Sequence, residues 1–80
     1  VSDRAALERE QHARALQENP LLAQLLDEQE ADTTRIWLAA EDPAVRERCW
    51  YRIQAIEHLR VQLEMTIGAG KLSRARGRSR

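Results

Sequence analysis

The sequence predicts an all-α protein: an antiparallel helical hairpin over about 20–40 and 43–67, with a short N-terminal helix before it and a disordered basic tail after it. Three observations carry this expectation. The only two prolines stand in Asn19-Pro20 and Asp42-Pro43, each an Asx-Pro pair of the kind that opens a helix. Apolar residues between these marks recur at helical spacing. The 80 residues contain three aromatics, Trp37, Trp50 and Tyr51, and no Phe, so a core must come from Leu, Ile, Val and Ala, which suits packed helices. A chain of this length is at most one small domain and buries only about 60% of its unfolded surface, which favours self-association.

The first element, about 3–17, carries a thin stripe. Leu7 and Leu16 are nine residues apart and project to opposite sides, leaving Ala6, Ala13 and Leu16. Two antiparallel helices alone cannot cover their own leucine and isoleucine rows. Either this segment or a second protomer closes the bundle, and so thin a stripe favours the second protomer.

The second helix opens with Asn19 as N-cap and Pro20 in the first turn. Leu21, Leu22, Leu25 and Leu26 form two adjacent apolar rows, and the stripe resumes at Ile36, Trp37 and Ala40 after the acids Asp27, Glu28, Glu30 and Asp32. The residue before a proline is pushed out of helical geometry, which ends this helix at about Ala40 and lets Asp42-Pro43 start the next. Two or three connecting residues make the helices antiparallel neighbours, about 32 and 38 Å long at 1.5 Å per residue. The acidic interval is then expected to pass close to Arg52.

In the third helix Cys49, Ile53, Ile56, Leu63 and Ile67 mark one face, with Leu59 read as filling the long gap. With Leu22, Leu26, Trp37 and Trp50 they are the candidate core and oligomer stripe. Gly68 and Gly70 are expected to end the helix in a left-handed cap. The chain thus divides into an N-terminal helix (1–18), a hairpin (19–70) and a flexible Arg-rich tail (71–80).

Catalytic and metal chemistry find little footing. Gly68-Ala69-Gly70-Lys71-Leu72-Ser73 has the look of a phosphate-binding loop, but that pattern needs Gly where Met65 stands and Ser or Thr where Leu72 stands. His12 and His58 are isolated, with no HExxH or repeated ExxH. Cys49 lies on the apolar stripe, where a thiol packs as a small hydrophobe, and a single cysteine forms no internal disulfide. No catalytic residue, cofactor, metal or small-molecule substrate is expected. No apolar run is long enough to span a membrane, and the N-terminus has no signal pattern, so a cytosolic setting is the expected default.

Charge is the sharpest feature. The first seventy residues carry eight basic and thirteen acidic side chains, whereas the last ten carry Lys71, Arg74, Arg76, Arg78 and Arg80 and no acid. The alternation of Arg with small residues lets four guanidinium groups follow a line of phosphates in an extended chain. Neutralising five duplex phosphates gives a salt slope of about −4.5 per chain. The same charges also suit an acidic protein surface, an anionic membrane, or a merely solubilising end.

The local signals together resemble a group of small helical proteins encoded by tailed bacteriophages among virion genes. The likeness rests on Ala15-Leu16-Gln17-Glu18-Asn19-Pro20-Leu21-Leu22, on Ile36-Trp37 before the acid-and-proline turn, on Arg46-Glu47-Arg48-Cys49-Trp50, and on Gly70-Lys71-Leu72. These are cap and packing positions, so the resemblance implies a structural or assembly role without a mechanism, with other virion proteins as partners. The Arg-rich end lies outside it. The expected function is a non-enzymatic assembly protein that forms homo-oligomers and contacts DNA or an acidic surface with its tail. The alternative is a small regulator that captures a host or phage protein with an exposed apolar helix face.

Overall fold

In the computed structural model, which describes residues 3–78, the chain forms three helices: α1 (Asp3–Glu18), α2 (Pro20–Ala39) and α3 (Pro43–Arg78). Local chemistry sets both breaks. Asn19 holds extended backbone (φ −73°, ψ 113°) and its side chain accepts from the Leu21 and Leu22 amides at 2.9 and 3.2 Å, satisfying donors that a helix start leaves open. Only this one residue separates α1 from α2. Asp42 repeats the device, accepting from the Ala44 amide at 2.9 Å with Pro43 in the first turn.

The α2–α3 turn is closed by Arg46. Its Nη1 donates to the carbonyls of Trp37 (2.9 Å) and Ala40 (3.2 Å), and its guanidinium lies 4.8 Å from the centre of the Trp37 ring. One cation thereby serves carbonyls at the C-terminus of α2, complements the negative end of that helix and stacks on an aromatic face.

Helix α3 does not stop at Ile67. It runs unbroken through Gly68 and Gly70 to Arg78, no glycine among the described residues has a positive φ, and positions 71–78 are helical rather than disordered. The expected boundary at 70/71 therefore falls inside a helix. Packing explains the continuation. Gly70 is buried, and a Cβ placed on it would come within 2.7 Å of Cβ, Cγ and Oε1 of Glu10, so the missing side chain is what lets α1 approach. Arg74 pairs with Glu10 at 2.9 Å and Arg76 with Asp3 at 3.6 Å. Two helical glycines cost about 1 kcal/mol each, which contacts of this extent offset.

The N-terminal half of α3 meets α2 and its C-terminal half meets α1. Broken at Asn19, α1 and α2 lie end to end along one long helix. The molecule measures 59 × 23 × 15 Å with a radius of gyration of 17.1 Å, against about 11.6 Å for a compact chain of this length. Along its length α3 is paired first with α2 and then with α1. Contrary to expectation, α1 packs on its own chain, yet it lengthens the layer instead of covering it.

The contact edge of α3 follows strict 4-3 spacing: Cys49, Ile53, Ile56, Arg60, Leu63, Ile67, Gly70, Arg74. Arg60, not Leu59, occupies the expected gap. Its Nη2 reaches Asp27 at 2.9 Å and Glu30 at 3.3 Å, so the acidic interval of α2 meets Arg60 rather than Arg52. The hydrogen bond to Asp27 raises the Arg60 pKa further above its already high value.

Candidate interaction surfaces

A single helical layer has two broad sides, and the sequence makes them unlike. On one side an open cleft is lined by Asp27, Glu30, Thr34, Leu38, Glu57 and Arg60. Helical phase puts Leu25 and Ile36 of α2 and Leu59 of α3 on the other side, where they are 46, 42 and 45% exposed, while Leu16 lines a hollow with Leu22, Leu26, Arg60 and Leu63. Leu21, Leu38, Trp50, Tyr51, Val61, Met65 and Leu72 are exposed as well. The fully buried apolar side chains are few: Ala13, Cys49 and Ile67.

The predicted stripe thus separates into three groups. Cys49 and Ile67 are buried; Leu22, Leu26, Trp37, Ile53, Ile56 and Leu63 are half-buried; Leu59 and Trp50 lie outside the intramolecular seam. Trp50 and Tyr51 pack edge to face, with ring centres 5.1 Å apart. Cys49 is a free, buried thiol.

At the basic end, charged groups of α1 and α3 come together. Glu10, 1% exposed, receives a 2.6 Å hydrogen bond from Arg14 Nε on the same Oε2 that pairs with Arg74 Nη1. The Arg14 hydrogen bond, helped by the charge of Arg74, holds the carboxyl below its ordinary pKa against the opposing effect of desolvation. Its other oxygen, Oε1, has no hydrogen-bond partner. Beside this cluster, a cleft of about 330 Å³ is lined by Asp3, Ala6, Arg9, Met65, Leu72 and Arg76, among others. Lys71 is exposed at the same end. Of the remaining predicted contact residues, Arg78 closes α3 and Arg80 lies outside the described residues.

Sequence reasoning missed Glu10, Arg46 and Arg60, all held by tertiary contacts. The 4-3 spacing was the available signal for Arg60, since counting position rather than apolarity selects it. Among the described residues no group of three or more His, Cys, Asp and Glu could hold a metal ion, and no helix is long and apolar enough to cross a membrane. No protein family, curated protein or solved structure matches the chain.

Proposed function

We propose that this chain is a non-enzymatic assembly protein that self-associates through its apolar side and contacts nucleic acid with its basic end. One observation carries the first half. The accessible surface is 6322 Å², whereas a compact monomer of 9.2 kDa exposes about 4,900 Å². A standard interface removes about 800 Å² per partner, well within the excess. Elongation alone could leave polar surface outside; here Leu25, Ile36 and Leu59 share one side by helical phase and are exposed. Packing that side on a second copy turns one layer of helices into two, the minimum that encloses a core.

The basic end supports the second half: Lys71 and Arg74, one turn apart on α3, and Arg76 are all exposed. Phosphate contacts of this kind position a protein without reading bases. A place in a tailed-phage particle, with other virion proteins as neighbours, follows from the sequence resemblance alone. The competing regulator reading uses the same apolar side to hold a different protein.

Light-scattering mass of the full chain, with and without duplex DNA at 50 and 200 mM salt, tests both halves. The expected result is a multiple of 9.2 kDa that binds DNA at low salt and releases it at high salt. Leu25→Asp with Leu59→Asp should give a single chain of unchanged helicity. A wild-type monomer at high concentration overturns self-association and favours the regulator.

A further inference from the structure

We infer that Arg74 and Arg76 are phosphate-backbone contacts whose resting partners are the carboxylates of α1, so that nucleic acid and α1 compete for each guanidinium group. The inference rests on the nucleic-acid contact proposed above and adds what pairs with each arginine when nucleic acid is not bound.

The pairs are laid out in sequence as they are in space. Arg74 and Arg76 stand near the end of α3, Glu10 and Asp3 one helix away, and antiparallel packing brings the two sets together at 2.9 and 3.6 Å. Both arginine side chains stay 44 and 64% exposed, so a phosphate can reach them from solvent while the carboxylates hold them from the protein side. Two positions apart on a helix, they project about 200° from each other, and α1 supplies a carboxylate for each.

Exchange is feasible because of how Glu10 is bonded. Arg14 and Arg74 share Oε2, so when Arg74 turns outward Glu10 keeps its 2.6 Å bond to Arg14 and no buried charge is stranded. An unpaired buried carboxylate would hold Arg74 firmly; a shared one lets it go. Oε1 already lacks a partner, so the resting arrangement is incompletely satisfied and has less to lose. Asp3 and Arg76 are exposed, and such a pair exchanges partners at little cost. Removing either carboxylate should therefore free a cation for phosphate and strengthen binding.

The test is duplex DNA affinity at 50 mM salt for the wild type, Asp3→Asn, Glu10→Gln and a charge-matched control, Glu28→Gln, in the acidic interval of α2. Asp3→Asn, which touches only an exposed pair and leaves folding intact, should bind about two- to threefold tighter, and Glu10→Gln about fivefold, as for loss of one close competing charge. The control, which removes one charge that is hydrogen-bonded to Gln24 rather than to an arginine, should change affinity by less than twofold. Variants that bind no better than wild type, or a control that gains as much as they do, overturn the competition while leaving the nucleic-acid contact standing. Absence of binding in every protein overturns both. In wild type, saturating DNA should speed hydrogen exchange in the first turns of α1; slower or unchanged exchange there also counts against the inference.

Discussion

Gly70→Ala should destabilise this protein although alanine is the better helix former, and Gly68→Ala, two residues away on the same helix, should stabilise it. Both substitutions gain up to about 1 kcal/mol of helix propensity. At Gly68 the added methyl meets nothing within 4 Å, so that gain stands. At Gly70 the methyl falls within 2.7 Å of three Glu10 atoms, whereas carbon atoms prefer about 3.5–4.0 Å. One of the three is Cβ, fixed to the α1 backbone, so no side-chain rotation relieves the overlap and α1 must retreat by roughly 1 Å. Overpacking of this kind costs about 1–3 kcal/mol, and the retreat also lengthens the Glu10–Arg74 pair. The propensity gain is common to both, so the two variants should differ by the overpacking cost, about 1–3 kcal/mol. For a chain of this size that separates their melting temperatures by roughly 5–20 °C. Thermal melts followed by circular dichroism at 222 nm, at one chain concentration because association shifts Tm, provide the measurement. If Gly70→Ala melts together with Gly68→Ala or above it, α1 is not seated against α3 as described.

Two other perturbations probe the charged contacts. The folded pKa of Glu10 lies below its ordinary value of 4.5, so its stabilisation is fully present above that value and is lost as pH falls through the lower, folded pKa. Tm measured from pH 7 to 2 should therefore fall less steeply below about pH 4.5 in Glu10→Gln than in wild type; identical acid limbs would show that Glu10 is not held ionised by Arg14 and Arg74. Arg46→Met keeps the aliphatic stem and deletes the guanidinium that serves two carbonyls and the Trp37 ring. The cost should be about 1–2 kcal/mol, visible as a lower Tm, and an unchanged melt would mean that the turn is closed by Asp42 and Pro43 alone.

The parts of this fold that the sequence makes legible are those whose chemistry is local. Asn19-Pro20 and Asp42-Pro43 bring their own acceptors and fixed backbone angles, so both helix starts can be read without knowing what surrounds them. The fate of Gly68 and Gly70 cannot be read that way. Two adjacent breakers predict an end, but the 4-3 spacing continues through Gly70 to Arg74, and a partner helix makes the absent side chain useful. Arg60 was hidden for a related reason. It interrupts an apolar run, and only the acids at Asp27 and Glu30, 33 and 30 residues upstream, make a charge tolerable at that seam position. At the basic end, composition announced the charges but not their companions, since Asp3 and Glu10 look like ordinary surface acids until the chain doubles back.

All three aromatic residues sit within fifteen positions of one another around the α2–α3 turn, and the half of the molecule built from α1 and the end of α3 has none. Intrinsic fluorescence is therefore a one-ended probe. Trp37, under the Arg46 guanidinium, and Trp50, half in solvent, report opening of the turn and are blind to α1 leaving α3. Circular dichroism sees both ends equally. Where the two signals coincide on heating, the rod melts as a unit, and where ellipticity is lost before emission changes, the dark half has let go first.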